Sequence, residues 1–127
     1  MRQISSNVEI TSIDSFKGLK IRTTTNDIHV SIFESLGCAP TPLNASEMFL
    51  ALQQGMLDAQ ENPWSQVWDR SLYEVQKYIT NSNHLPYLQT FIMSRPVWEK
   101  LTETEQQIIF DAAQEMAEYI MAYSEQW

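Results

Sequence analysis

Segments of strand composition alternate with helical segments along the first half of the chain, and this alternation constrains the fold more than any other feature. Leu19–Thr23 is a predicted strand, and Asn26 or Asp27 then caps a helix that ends at Gly37, because glycine readily adopts the left-handed conformation after a helix. A regular spacing of four predicts the buried face of this helix, which holds Ile28, Ile32 and Leu36.

The same alternation continues through two further strand and helix pairs. Ala39–Leu43 is predicted to be a short or peripheral strand, because its two prolines lack a donor for the sheet. A helix with capping-box residues follows Asn44 and ends before Gly55. Met56–Glu61 is the next predicted strand, and Asn62–Pro63 provides the cap and first residue of another helix.

The second half adds two predicted strands and one long helix. Lys77–Asn81 is the first strand, and Tyr87–Ser94 is nearly continuous in apolar residues, which predicts a strand buried on both faces. Thr102 and Glu105 form a capping box that opens a helix running to the end of the chain. The predicted fold class is α/β, with a mixed, mostly parallel sheet flanked by helices and a long C-terminal helix, and residues 1–127 are expected to form a single domain.

The charge balance excludes one class of partner. Sixteen acidic and eight basic side chains give a net charge of −8, which repels nucleic acid and anionic lipid. A site for an anion must therefore use a few local cations and backbone amides. Arg22, Asn44 and Asn62 lie at junctions of predicted strands and helices, where sheets of this kind bind ligands.

Cysteine content and hydropathy limit the compartment only weakly. The single cysteine, Cys38, excludes an internal disulfide, and we expect it to be a small buried apolar side chain. No apolar run reaches the length of a membrane span, and the first residues lack the apolar stretch of a signal peptide. An exported protein would need such a signal upstream.

Six motifs, in order and at similar spacing, resemble the C-terminal half of the substrate-binding proteins of tripartite ATP-independent periplasmic (TRAP) transporters, the DctP-like group. The match extends from about Arg2 to about Tyr119. The motifs are Lys17–Arg22, Leu36-Gly37 with Pro40-Thr41-Pro42, Ser46-Glu47 leading to Ala51–Gly55, Asp58–Pro63, Tyr73–Tyr78, and Asn83-His84.

The resemblance implies the ligand-binding lobe of a two-lobed periplasmic receptor that closes around a small organic acid, such as a C4-dicarboxylate, and delivers it to membrane subunits. It implies that Arg22 forms a two-pronged ion pair with the ligand carboxylate and that Asn62 contacts the ligand. Arg2 matches a second family arginine, although fraying at the chain end leads us to expect Arg2 to be disordered.

The sequence also departs from the family pattern. Thr23–Thr25 replaces the usual Val-Pro after the key arginine, and Ala45 replaces an aromatic residue, so ligand identity does not transfer. The family's N-terminal lobe has no counterpart here, and we expect a truncated chain that binds organic acids weakly by itself.

Two other function classes stay open. Glu47, Asp58 and Glu61 could act with His29 or His84 as an acid/base enzyme, although acids in so acidic a chain are usually solvated and His84 is expected to be a turn residue. Trp64 and Trp68 could form a stacking platform, or belong to the core. The sequence predicts no metal site and no cofactor.

The last class is a self-associating scaffold. If the N-terminal lobe is absent, the surfaces that it would cover are exposed. Large exposed apolar patches tend to bind other proteins. We therefore expect the chain to form a homodimer, through its N-terminal strand or its terminal helix.

Overall fold

The structure, a computed structural model, describes residues 1–124. The elements follow one another as β1 (Arg2–Ser6), a 3-10 turn (Ile13–Phe16), β2 (Lys20–Thr23), α1 (Asp27–Ser35), β3 (Ala39–Pro42), α2 (Ala45–Gln53), β4 (Ala59–Asn62), α3 (Trp64–Asp69), a 3-10 turn (Leu72–Glu74), β5 (Tyr78–Leu85), α4 (Arg95–Trp98) and α5 (Glu103–Ser124).

These elements divide into two compact units. Unit 1 is Met1–Tyr87 and contains the sheet with α1, α2 and α3, whereas unit 2 begins at Leu88 and contains α4 and α5. The expectation that residues 1–127 form a single domain stays a prediction.

The sheet of unit 1 has the strand order β3-β2-β4-β1-β5. β2 is parallel to both β3 and β4, while β1 is antiparallel to β4 and to β5. Four strands therefore point one way and β1 points the other, which confirms the predicted mixed, mostly parallel sheet with flanking helices. β3 lies at one edge, where its two prolines cost no ladder hydrogen bonds on the outer side.

Local signals set the limits of α1. Asn26 Oδ1 accepts a hydrogen bond from the backbone N–H of Ile28 at 2.8 Å, and Gly37 takes a φ of +82° just after the helix. The predicted buried face is wrong at its N-terminal end, because Ile28 is 64% exposed, and it omits Phe33, which is fully buried. Ile32 and Leu36 pack partly against the same core as Phe33.

The next two helix starts differ from the prediction in detail. Asn44 precedes α2, but its side chain makes no capping hydrogen bond. Asn62 is the last residue of β4, and Pro63 rather than Asn62 precedes the first turn of α3. The helix begins one residue late because the Asn62 side chain bonds within the sheet instead of capping.

Unit 1 buries two apolar clusters. The first contains Ile4, Phe16, Leu19, Ile21, Phe33 and Ala59, and the second contains Met48, Ala51, Leu52, Leu57, Val67 and Leu72. Cys38 packs against the first cluster, and burial raises the pKa of its thiol to about 11. The thiol is therefore protonated at neutral pH, which agrees with the expected packing role.

Unit 2 contains the predicted long helix but not the predicted strand. Thr102 and Glu105 form the capping box at the start of α5: the backbone N–H of Thr102 donates to Glu105 Oε2 at 2.7 Å, and that of Glu105 donates to Thr102 Oγ1 at 3.3 Å. Residues 87–94 form no strand, so that prediction is wrong. A strand needs a neighbouring strand to complete its hydrogen bonds, and none of the described strands pairs with this segment.

The apolar side chains of unit 2 are consequently exposed. Leu88 and Ile92 are each 83% exposed, and no residue from Leu88 to Tyr123 is buried. Among the described residues, no helix combines the length and the hydropathy that a membrane crossing requires.

Candidate functional site

Four strands of unit 1 bring polar residues to one edge of the sheet. Arg22, near the end of β2, pairs with Gln60 of the parallel strand β4. β1 runs in the opposite direction, so it begins at this edge with Arg2, which pairs with Leu85 at the end of β5. We call this end of the sheet, where β2, β4 and β5 finish and β1 begins, the carboxyl edge. Its composition follows from the topology, since residues far apart in sequence meet there.

Arg2 lies inside this edge and is not disordered. Two nitrogens of its guanidinium group bind Glu61. Nε donates to Oε2, and Nη2 donates to Oε1 at 2.8 Å and to the backbone carbonyl of Glu61 at 2.9 Å. Arg2 is 5% exposed. The expectation of a frayed end is wrong because β1 has a paired strand on each side, and because a buried ion pair fixes its first residues.

Glu61 is a fully buried carboxylate with two imidazoles beside it. His29 Nδ1 lies 3.2 Å from Oε1, and His84 Nε2 lies 3.5 Å from Oε2. The Nε2 atom of His84 is buried and has no hydrogen-bond partner among residues 1–124. His84 is therefore near Glu61 without being hydrogen-bonded to it. Ser82 Oγ and His84 Nδ1 are hydrogen-bonded at 2.8 Å. His84 lies within β5 and not in the expected turn.

These neighbours determine the ionisation of Glu61. Burial alone raises the pKa of this carboxyl, but His84, Arg2 and His29 favour the charged form more strongly and lower the pKa to about 2. The expectation that acids such as Glu61 are solvated is therefore wrong for this residue, and Glu61 is an anion at any physiological pH.

Arg22 is the second arginine of the carboxyl edge, and its partner is uncharged. Nε and Nη2 both donate to the backbone carbonyl of Leu43, at 2.9 and 2.6 Å. The residue is 4% exposed, and no ion pair joins it to a carboxylate within residues 1–124. Burial lowers the pKa of its guanidinium, while the charge of Glu61 opposes this. Arg22 thus keeps N–H groups for which the described chain supplies no anion.

The Asn62 side chain links Arg2 on β1 with Gln60 on β4. Its Oδ1 accepts from Arg2 Nη2 at 3.2 Å, and its Nδ2 donates to Gln60 Oε1 at 2.6 Å. The side chain is a buried link in a polar network and not a helix cap. At the end of β2, Thr23 Oγ1 is buried without a hydrogen-bond partner in the described structure.

The remaining candidates are not brought into this site. Glu47 is exposed on α2, and Asp58 Oδ2 accepts from the backbone N–H of Lys20 at 3.1 Å, at the opposite end of the strands. Trp64 packs against the second apolar cluster, whereas Trp68 is 59% exposed and stacks on Tyr73 with ring centres 5.1 Å apart. The stacked pair is therefore not the predicted one.

An open cavity of about 470 Å³ lies in unit 1 at the other end of the sheet and contains none of the predicted site residues. Its lining consists of Asn7, Leu52, Gln53, Gly55, Glu74, Val75 and Lys77.

Sequence reasoning did not find the cluster around Glu61. It considered Glu61, His29 and His84 only as members of a catalytic set. The available signal was the placement of a glutamate at the end of a predicted strand, where burial demands a cation as partner.

Comparison with known proteins agrees with the fold. The family model for bacterial extracellular solute-binding proteins, family 7 (DctP), matches residues 1–126. The sialic acid-binding periplasmic protein SiaP of Vibrio cholerae is 37% identical over 117 residues, which are 92% of this chain and 36% of that protein.

Two solved structures are similar over most of the chain. A TRAP periplasmic solute-binding protein from Actinobacillus succinogenes with bound L-galactonate gives a TM-score of 0.91 at 28% identity and covers 98% of this chain and 41% of that one. Another from Shewanella oneidensis with bound succinate gives 0.80 at 31% identity, with 91% and 38% covered. The chain spans a little over a third of the length of these relatives. On the family match, it belongs to family 7 of the bacterial extracellular solute-binding proteins, the DctP family.

Proposed function

We propose that this chain binds the carboxylate of a small organic acid at the carboxyl edge, as the binding component of a TRAP transporter. Arg22 is the electrostatic anchor, Asn62 is the polar support, and Arg2 contributes a second positive charge while it holds Glu61. Family members are substrate-binding proteins of transport systems, and the relatives with bound L-galactonate and succinate are consistent with this ligand class.

The environment of Arg22 carries this proposal. A buried guanidinium is costly unless an anion accompanies it. Arg22 has a carbonyl partner only, and the described chain gives it no carboxylate. A planar carboxylate fits the N–H groups that Leu43 leaves open, because both partners are flat and the bond is charge-assisted.

Arg22→Ala is the direct test. We expect NMR shift titrations of the chain with succinate or galactonate to show millimolar affinity, since a ligand on one lobe stays partly solvated. Arg22→Ala should weaken both affinities about 10- to 100-fold, because a charge-assisted hydrogen bond contributes about 1.5–3 kcal/mol.

Lys17→Ala is the matched control, because it removes one positive charge from an exposed residue that is paired with Asp14. It should leave both affinities unchanged. Equal binding by Arg22→Ala and the unchanged chain would contradict the proposal, and so would the absence of any binding at tens of millimolar acid.

We further infer that the natural setting is periplasmic and that the chain binds and does not convert its ligand. Family members and the relatives above are periplasmic solute-binding proteins, which supports the compartment and a role beside TRAP membrane subunits. Glu61 is held by Arg2 and stays ionised, so it is poorly suited to donate a proton.

A second proposal concerns self-association. We infer that the chain forms a homodimer through unit 2, because its large apolar side chains are exposed and none is buried in the described part of that unit. Large exposed apolar side chains in such number favour a protein partner.

A further inference from the structure

Two titratable rings share one buried carboxylate at the carboxyl edge. His29 approaches Oε1 of Glu61 from the first turn of α1, and His84 approaches Oε2 from β5. Arg2 completes the shell from β1, and the charge of Arg22 on β2 acts on the same group. Each of these four elements thus contributes to the surroundings of Glu61 a group that is positive or can become positive.

The formal charge of this edge depends on the imidazoles. With both rings neutral, Arg2, Arg22 and Glu61 together carry one positive charge. Protonation of one imidazole raises this to two. Imidazole is the side chain whose charge ordinarily changes between about pH 5 and 8. The edge therefore matches a monoanion when both rings are neutral and a dianion after one proton is taken up.

The geometry favours His29 over His84 as the ring that takes the proton. His29 Nδ1 is at hydrogen-bond distance from Glu61, and protonation turns this contact into a charged pair. His84 is fixed by Ser82 and packs edge-on against Phe33, with ring centres 5.4 Å apart, and its Nε2 makes no hydrogen bond.

We propose that His29 is a positioning residue whose protonation determines whether the carboxylate site prefers a singly or a doubly charged acid. The inference rests on the proposed function, because it requires the ligand to bind beside Arg22. His29 acts through Glu61 and through its own charge: neutral His29 favours monocarboxylates, and protonated His29 favours dicarboxylates. Anion binding and proton uptake are then linked, so each promotes the other.

The test compares two acids of the same shape and different charge. Fumarate has two charges and its monoamide has one, and both are ionised across the range used because carboxyl groups titrate below it. NMR titrations of the chain give the ratio of the two affinities at about pH 8 and about pH 5.5. We expect this ratio to shift about five- to tenfold towards fumarate at the lower pH.

His29→Asn keeps a donor near the position of Nδ1 but cannot be protonated, and it should make the ratio independent of pH. His84→Gln is the matched variant at the other ring and should keep the pH-dependent shift, even if it weakens both ligands. Amide spectra of each variant establish that unit 1 is folded.

The outcomes separate the two claims. Binding that depends on Arg22 but has a constant ratio overturns the role of His29 and leaves the proposed function intact. A pH-dependent shift that survives in His29→Asn, or that disappears only in His84→Gln, also overturns it. Loss of all Arg22-dependent binding at both pH values overturns the proposed function and this inference together.

Discussion

A few residues determine the chemistry of the carboxyl edge, and Glu61 is the most constrained of them. It is fully buried, Arg2 binds both of its oxygens, and two imidazoles stand beside it. Arg22, on the neighbouring strand, has a carbonyl as its partner. The two arginines of the edge therefore differ in their partners: Arg2 is neutralised by Glu61, and Arg22 has no carboxylate partner within residues 1–124.

The ionisation of Glu61 predicts how stability depends on pH. Its pKa is lowered from 4.5 to about 2 in the folded chain, so the folded state favours the ionised form. The resulting stabilisation is present above about pH 4.5 and is lost as the pH falls towards 2. The shift corresponds to about 3 kcal/mol, an order-of-magnitude value.

Urea unfolding of unit 1 between about pH 5 and 2 measures this effect. The free energy of unfolding should fall more steeply for the unchanged chain than for Glu61→Gln, by about 3 kcal/mol over the interval. Glu47→Gln is the control, because this acid is exposed on α2, and its profile should follow the unchanged chain. If the free energy of unfolding depends on pH in the same way for Glu61→Gln and the unchanged chain, the lowered pKa of Glu61 is disproved.

At the scale of elements, local signals placed most of the described helices and strands. Asn26, Gly37 and the Thr102–Glu105 box act through short-range hydrogen bonds and backbone preference, so each is visible in the sequence. The errors arose where long-range contacts decide. Asn62 bonds within the sheet instead of capping α3, and residues 87–94 have strand composition but no described strand beside them.

Gly37→Ala tests the helix stop after α1. The residue has a φ of +82°, which an L side chain rarely adopts, while an added Cβ would meet Lys17 only at an ordinary 3.6 Å. The cost is thus one of backbone conformation, and we expect the free energy of unfolding to fall by about 1–2 kcal/mol.

Ser31→Ala is the comparison for Gly37→Ala, since Ser31 is exposed on the same helix and should change stability by under about 0.5 kcal/mol. Chemical denaturation measures both variants. Equal stability of Gly37→Ala and the unchanged chain would show that the turn after α1 is not strained by a side chain.

At the scale of the whole molecule, the two compact units differ in how they are stabilised. Unit 1 buries two apolar clusters around its sheet. Unit 2 has no buried residue between Leu88 and Tyr123, although it carries a 22-residue helix and many apolar side chains. A segment whose apolar side chains are at most half-buried gains less from folding by itself, and this is the basis of the proposed self-association.

Sedimentation or light scattering tests the proposed self-association. We expect a dimer at tens of micromolar, and we expect Leu88→Glu combined with Ile92→Glu to shift the chain towards monomer, because these two exposed side chains would then repel a second copy. Ile28→Glu is the control, since Ile28 is also apolar and exposed but lies in unit 1. A monomer for the unchanged chain would rule out this proposal.

The sequence by itself determined the α/β class, most of the strand and helix positions in unit 1, and the arginine at the end of β2, because hydrophobic spacing and capping residues act over a few neighbours. Only the tertiary structure decided that Arg2 lies beside Glu61, that His29 and His84 approach the same carboxylate, and that Arg22 has no charged partner within residues 1–124. The order of the strands sets these contacts, since an antiparallel β1 carries the first residues of the chain to the edge where β2 and β4 end.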